Sequence, residues 1–100
     1  MATSTIKAVT DTGWVTLSSS VSYRVRNGIA TIIVTNATIN TGTTTLGTLP
    51  EIARPTTEVD FLYRKGCTTC QGWITPEGYV RGASQSSASG YSATIAYIAN

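Results

Sequence analysis

Histidine is missing from this 100-residue chain, and charged residues make up only 12% of it. Without histidine, the chain lacks the commonest general base and the usual catalytic triads. Zinc sites normally use four ligands, and two cysteines without a histidine fall short of that number. No apolar run reaches the roughly 18 residues of a membrane span, and Met1–Asp11 lacks the apolar core of a signal peptide. We therefore expect no metal, no cofactor and no membrane insertion.

Positive charge is too dispersed for a nucleic-acid-binding domain. The formal net charge is +2, and the seven basic residues form no block. Only Arg24 with Arg26, and Arg64 with Lys65, lie close together, and each pair flanks a turn where solvated charge is expected. Because nucleic-acid binders usually gather Lys and Arg on one face, we expect no nucleic-acid partner.

Threonine fills much of the chain, with 19 of the 100 residues. This β-branched residue suits a pleated surface that is half exposed to water. Apolar residues alternate or run together, Gly or Pro interrupts them every ten residues or so, and no amphipathic helix pattern appears. The sequence predicts a single all-β domain over residues 1–100. We expect an antiparallel β-sandwich or jelly-roll-like barrel of about seven to eight short strands.

The strongest local signal is a hairpin around Asn27-Gly28, the dipeptide that favours a type I′ turn. The predicted cross-strand pairs are Arg26–Ile29, Val25–Ala30, Tyr23–Ile32 and Val21–Val34. One face of this hairpin is then wholly apolar, whereas Ile29 and Ile33 remain on a mixed face. These two side chains need cover from another strand or another chain, which is a first indication of an oligomer.

A second hairpin is predicted over Gln71 to Ala83, around the turn Pro76-Glu77-Gly78. A three-residue loop with Gly last fits a type I turn closed by a left-handed residue. The predicted pairs are Thr75–Tyr79, Ile74–Val80 and Trp73–Arg81. Trp73, Tyr79 and Arg81 then share one face of the hairpin.

Four further segments complete the predicted domain. Leu49 to Pro55 contains two prolines, which exclude a central strand and indicate an ordered loop. Thr57 to Arg64 alternates as a strand, and Tyr91 to Ala99 alternates as a closing strand. Gly82 to Gly90 is rich in Ser, Gly and Ala, which predicts a flexible loop.

The two cysteines form a C-x-x-C pattern at Cys67 and Cys70. On a strand, residues three apart point to opposite faces and lie about 10 Å apart, too far for a disulfide. A tight turn at Thr68-Thr69 would remove that objection. The interpretation we favour is two free thiols, of which at least one packs inside.

Glu58 and Asp60 are the one acidic pair with a spacing of catalytic interest. Two residues apart on a strand, their Cα atoms lie about 7 Å apart on one face, a separation typical of glycosidases. However, acids that alternate with Val59 and Phe61 are also what the solvent face of any strand shows. We expect no enzyme activity; if saccharide cleavage were observed, replacing either acid should abolish it.

The order of motifs along the chain resembles that of a known family. The motifs are Gly13-Trp14-x-x-Leu17, Tyr23-Arg24 before a Gly turn, Leu49-Pro50-x-x-x-Arg54-Pro55, Gly72-Trp73-Ile74, Gly78-Tyr79-Val80 and Ala96-Tyr97-Ile98. This succession resembles the C-terminal head domains of phage tail fibres and baseplate receptor-binding proteins, especially those of phages of Gram-positive hosts. It covers most of the chain, from about Gly13 to Ile98.

The resemblance implies a β-sandwich or barrel that assembles as a homotrimer, binds host cell-wall or capsular saccharide and belongs to the virion. Such a protein is made in the cytoplasm of the bacterial host. Residues 1–12 would be a linker or a strand leading in from an absent shaft, through which other phage tail proteins attach. The chain departs from the family in having no preceding coiled coil or shaft. Two alternatives stay open: a purely structural trimerisation or cap module, and a carbohydrate-binding module.

The outer face of the second hairpin is the predicted saccharide site, because sugars bind where aromatic rings meet a few polar groups. The residues expected to bind are Trp73, Tyr79, Arg81 and Gln71. Asp60 and Glu58 would accept hydrogen bonds from sugar hydroxyls if their strand neighbours this hairpin. Trp14 is expected to be structural and to close the bottom of the sandwich. The competing interpretation of the aromatic residues is burial in the core or between subunits.

Overall fold

The computed structural model describes residues 11–99, and over this range the predicted all-β class is confirmed. Eight strands form one antiparallel sheet, joined by loops and a single turn of 3₁₀ helix at Glu51–Ala53. The strands are β1 (Val15–Thr16), β2 (Val21–Arg26), β3 (Ile29–Ile39), β4 (Gly42–Thr48), β5 (Val59–Lys65), β6 (Thr68–Ile74), β7 (Tyr79–Ser84) and β8 (Ala88–Ile98). The predicted lead-in, residues 1–12, lies outside the described residues apart from its last two.

The sheet curls into a half-barrel, and β8 joins its two halves by pairing with β3 on one side and β5 on the other. The strand order is β1-β2-β3-β8-β5-β6-β7-β4, so the third and fourth strands of the chain lie far apart in the sheet. The curl brings the two edges together through side chains: a Cβ added to Gly47 on β4 would lie 2.9 Å from a methyl carbon of Leu17, just after β1. A larger residue at Gly47 would require the Leu17 side chain to move.

The first hairpin has the predicted register, with Tyr23 opposite Ile32. Asn27 and Gly28 have φ angles of 52° and 79°, as the type I′ turn requires. The apolar face of the hairpin is buried and forms much of the core. The buried apolar residues are Val21, Tyr23, Val25, Ala30, Ile32, Val34, Ala37, Ile39, Leu49, Ala53, Tyr63, Cys70, Ile74, Val80, Tyr91, Ile95 and Ala99.

The second hairpin also has the predicted register, with Trp73 opposite Arg81. The loop between β4 and β5 is ordered as expected and packs against this hairpin's turn. Leu49 N–H donates to the Gly78 carbonyl (2.8 Å), and Arg54 Nε donates to the Leu49 carbonyl (3.0 Å). A Cβ at Gly78 would lie 2.6 Å from that same Leu49 carbonyl oxygen, so this turn needs glycine for space as well as for its φ of 93°.

The predicted flexible loop from Gly82 to Gly90 is wrong. β7 continues to Ser84, and β8 begins at Ala88, opposite Ile39 on the long strand β3. The small residues have a packing role here: a Cβ at Gly82 would lie 2.9 Å from a ring carbon of Tyr63. At Gly82 the small residue makes room for the Tyr63 ring, which extends from β5 across the same sheet.

The cysteines are free thiols, as predicted. Cys67 is exposed in the turn between β5 and β6, and Cys70 is buried. Thr68 and Thr69 belong to β6 and make no tight turn. Within residues 11–99, no helix has both the length and the apolar character needed to cross a membrane.

Candidate functional site

A row of four side chains crosses the outer face of the sheet where β5, β6, β7 and β4 lie side by side. Asp60 lies opposite Trp73, and Trp73 lies opposite Arg81. The row ends at Thr45 on β4, opposite Arg81. Neighbouring strands are about 5 Å apart, so the row spans three inter-strand steps. Asp60 is exposed and Trp73 and Arg81 are partly exposed, which places the row at the surface.

The other three predicted site residues lie on the same face. Gln71 is exposed two residues before Trp73 and lies opposite Leu62, whose side chain is 60% exposed. Tyr79 lies two residues before Arg81 on β7, and Glu58 is exposed directly before β5. The pairing of β5 with β6 meets the condition under which the two acids were expected to join the site.

Arg81 is held in place from three directions. Its guanidinium carbon lies 4.5 Å from the centre of the Tyr79 ring, a cation–π contact. Its Nε donates to Thr45 Oγ1 (3.2 Å), and its backbone carbonyl accepts a hydrogen bond from the Tyr63 hydroxyl (3.2 Å). The contacts with Tyr79 and Thr45 orient the guanidinium before any ligand arrives, which lowers the entropy cost of binding. The Tyr63 bond fixes the backbone of Arg81.

Glu58 and Asp60 interact directly through their carboxyl groups. A hydrogen bond with Asp60 raises the pKa of Glu58 above its ordinary value, and partial desolvation and the Asp60 charge act in the same direction. Both residues are exposed, so their carboxyl oxygens can accept hydrogen bonds from a polar ligand. Across residues 11–99, no group of three or more potential metal-ligating side chains is present.

A cleft of about 490 Å³ adjoins this face at the end of β6 near the Cys67 turn. Gln71 lies in both the face and the cleft. The lining residues are Thr68, Thr69, Cys70, Gln71, Ala83, Ser84, Gln85, Ser86 and Tyr91. Sequence reasoning identified Gln71 but missed the rest, because most of them fall in the segment taken for a flexible loop or near the cysteine turn.

A second cavity, of about 370 Å³, lies on the other half of the sheet. It is lined by Trp14, Arg24, Arg26, Asn27, Ile29 and Thr31. Trp14 is 52% exposed, so the prediction that it closes the bottom of a sandwich is wrong. The chain from Asp11 to Val15 runs along the edge of the sheet next to β2, and Trp14 is exposed there.

Next to this cavity, two isoleucines face solvent from paired strands. Ile29 on β3 lies opposite Ile98 on β8, and their side chains are 43% and 75% exposed. β8 therefore pairs with β3 without covering the mixed face that carries Ile29 and Ile33. Ile33, further along β3, is partly exposed.

A scan of the chain against protein-family models found no match, and a search of curated proteins found none either.

Proposed function

We propose that this domain is the receptor-binding tip of a tailed phage, which attaches to host cell-surface saccharide without cleaving it. The observation that carries the proposal is the setting of Trp73. Its partly exposed ring lies between an acceptor, Asp60, and a donor, Arg81, on the two neighbouring strands. A sugar ring placed on an aromatic face presents hydroxyl groups around its edge, where groups of both kinds are needed.

The electrostatics of the face fit a ligand rich in hydroxyl groups. The Asp60–Glu58 pair offers carboxylate oxygens on one side of Trp73, and the oriented guanidinium of Arg81 offers N–H groups on the other. Hydrogen bonds to charged groups are worth about 1.5–3 kcal/mol each, more than those between neutral partners. Two such groups beside an aromatic ring supply both affinity and orientation.

Binding without cleavage agrees with the chemistry of the two acids. Cleavage requires one carboxyl group to act as acid while the other, at a larger separation, acts as nucleophile or base. Asp60 raises the pKa of Glu58, and both residues are exposed, so their carboxyl oxygens can accept hydrogen bonds from a ligand. We assign them to ligand binding.

A purely structural trimer module is the second candidate, and Ile98 is the observation that favours it. A side chain of this kind that is 75% exposed beside another exposed isoleucine is typical of a subunit contact. The two functions are compatible if Ile29 and Ile98 form the contact while the Trp73 face stays open. If the Trp73 face is itself buried in the assembly, only the structural function remains.

An array of bacterial cell-wall and capsular glycans, probed with the wild-type domain and three variants, tests the proposal. We expect Trp73→Ala and Arg81→Ala to weaken binding by roughly tenfold or more, since about 1.4 kcal/mol corresponds to each factor of ten. Trp14→Ala is the matched control, because Trp14 is also exposed but lies on the other half of the sheet. If the Trp73→Ala variant binds as tightly as the wild-type domain, the proposed site is wrong. If the wild-type domain binds no glycan, the structural module is favoured.

A further inference from the structure

The cleft beside Gln71 lies where β6 extends beyond the end of its pairing with β7. The ladder between β6 and β7 runs from Ile74–Val80 to Gln71–Ala83, and Thr68–Cys70 continue beyond its end. On the other side, the chain leaves β7 at Ser84 and turns into β8. The gap between these segments has a volume of about 490 Å³, within the 300–1,000 Å³ that small-molecule sites typically have.

The lining of the cleft is part polar and part apolar, and none of its side chains is charged. Apart from Cys70 and Ala83, every lining residue carries a hydroxyl or an amide group: Thr68, Thr69, Gln71, Ser84, Gln85, Ser86 and Tyr91. Such groups both donate and accept hydrogen bonds, and none of them attracts a charge of one sign. The lining therefore favours a neutral ligand with hydroxyl or amide groups over an ionic one.

The loop that forms one wall is fixed by its own hydrogen bonds. Ser84 Oγ donates to the Ser86 carbonyl (2.7 Å) and accepts from the Ser86 N–H (3.3 Å). Ser87 Oγ accepts from the Thr41 N–H (3.0 Å), which ties the loop to the start of β4. A wall that is ordered before binding loses less entropy when a ligand arrives.

Gln71 makes the cleft continuous with the Trp73 face. Residues two apart on a strand lie about 7 Å apart on one face, so Gln71 lines the cleft and is also the neighbour of Trp73 along β6. The exposed side chain of Leu62 lies opposite Gln71 and provides an apolar surface alongside. A ligand that extends from Trp73 to the cleft thus meets an amide and an apolar side chain. The exposed Arg64, opposite Thr69, lies beside the cleft but does not line it.

The cleft also faces away from both ends of the described chain. Asp11 bridges Arg26, and the Ala99 N–H donates to the Gly28 carbonyl, so both ends lie at the first hairpin turn. Tyr91 in the cleft lies seven residues along β8 from Ile98, a distance of about 23 Å.

We infer that the cleft is a second subsite, which takes an uncharged sugar unit of the same saccharide that Trp73 binds. The ligand is then an oligosaccharide that lies along β6, with one unit on Trp73 and a neutral unit between Gln71 and Gln85. This inference rests on the proposed saccharide-binding function, and it adds the length of the ligand and the chemistry of its second unit.

Nuclear magnetic resonance can follow the two subsites separately in the intact chain. Gln71 and Gln85 are the chain's only glutamines, and Trp14 and Trp73 its only tryptophans, so their side-chain N–H signals are few and assignable. The probes are neutral oligomers of N-acetylglucosamine and of glucose, from one to four units long. We expect a single unit to shift the Trp73 indole signal alone, and three or four units to shift Trp73 and Gln85 together.

Affinity across the same length series gives the second readout. Gln85→Ala should weaken binding of the tetramer by roughly two- to tenfold, which corresponds to one net hydrogen bond, and leave the affinity for one unit unchanged. Thr94→Ala, exposed on the far half of β8, is the control and should change neither.

The outcomes separate the inference from the function on which it rests. If all lengths bind alike and shift Trp73 but never Gln85, the cleft is no subsite while the Trp73 site stands. If Gln85 shifts without Trp73, the two do not share a ligand and the inference is overturned. If neither oligomer series binds although the glycan array shows binding, the neutral second unit is wrong; if the array is also blank, the saccharide-binding function itself fails.

Discussion

The hydroxyl of Tyr63 donates a hydrogen bond to the backbone carbonyl of Arg81. Tyr63 is fully buried and Arg81 lies on the outer face, so this bond joins the core to the proposed saccharide site. The Tyr63 ring also lies against Gly72 and Gly82, one on each of the two strands that carry Trp73 and Arg81. The strands of the site are thus positioned by one side chain beneath them.

Replacing Tyr63 with Phe should therefore lower the free energy of unfolding while leaving the packing of the ring unchanged. The change keeps the ring but leaves the Arg81 carbonyl without this donor, which costs about 1 kcal/mol. Urea unfolding of both proteins measures the difference. An unchanged unfolding midpoint would show that water replaces the hydroxyl and that the bond contributes little.

A methyl group at Gly72 should be more damaging. Its Cβ would lie 2.5 Å from Tyr63 Cε2 and 2.6 Å from Phe61 Cε2, both within aromatic rings that pack edge to face. Overpacking of this kind costs about 1–3 kcal/mol or more. We expect Gly72→Ala to lower the thermal unfolding midpoint by several degrees. The exposed neighbour Gln71 provides the control, since Gln71→Ala should leave the midpoint nearly unchanged; equal effects of the two changes would contradict the packing argument.

Both hairpins were predictable from sequence because each depends on local turn chemistry. Asn27-Gly28 and Gly78 take the left-handed backbone conformations that their residue types favour. Once the turn is fixed, alternation of apolar and polar residues sets the register. The grouping of Trp73 with Arg81 follows from the same reasoning, because both lie within one hairpin.

The curl of the sheet, the cleft and the exposure of Trp14 depend on contacts between distant segments. Arg64 meets Ser92 where β5 joins β8, and no local pattern encodes that pairing. The Ser/Gly/Ala composition of the segment after Gly82 has two physical explanations, flexibility and close packing. The pairing of Ala88 with the distant Ile39 decides between them for the second half of the segment, because it places that half in β8.

Asp11 should make the domain sensitive to strong acid. Arg24 donates to both of its carboxylate oxygens (2.6 and 3.0 Å), and with the Gly13 N–H this lowers the pKa of Asp11 from 3.8 to about 2. A lowered pKa in the folded state means that the ionised form contributes stability above about pH 4 and loses it as the pH falls through about 2. Urea unfolding should show wild type more stable than Asp11→Asn at pH 7, with the difference disappearing towards pH 2. A difference that does not depend on pH would contradict an electrostatic origin.

The exposed pair Ile29 and Ile98 predicts that the domain self-associates, as a trimer in the function proposed above. Replacing Ile98 with Glu places a charge in this contact, which should reduce the sedimentation mass to that of one chain. Leu62→Glu is the matched control, because Leu62 is similarly exposed but lies on the face assigned to ligand. A wild-type mass equal to one chain would rule out the trimer, and loss of assembly in Leu62→Glu alone would place the contact on the Trp73 face.

The last prediction concerns the acid pair at the edge of the site. Because Asp60 raises the pKa of Glu58, Glu58 holds its proton to higher pH when folded than when unfolded. Its protonated form therefore contributes stability at low pH, and this contribution is lost as the pH rises through the folded pKa. Asp60→Asn removes the neighbouring charge, so the Glu58 midpoint in an NMR titration should fall towards its ordinary value of 4.5.

Asp11→Asn, on the other half of the sheet, is the control and should leave the Glu58 midpoint unchanged. A midpoint that does not move in Asp60→Asn would mean that the two carboxyl groups are apart, at a separation that again permits glycosidase chemistry. Incubation of the wild-type domain with the oligosaccharides that it binds then decides the matter. Intact oligosaccharides support a binding site, whereas shortened products that disappear in Asp60→Asn would make Asp60 catalytic.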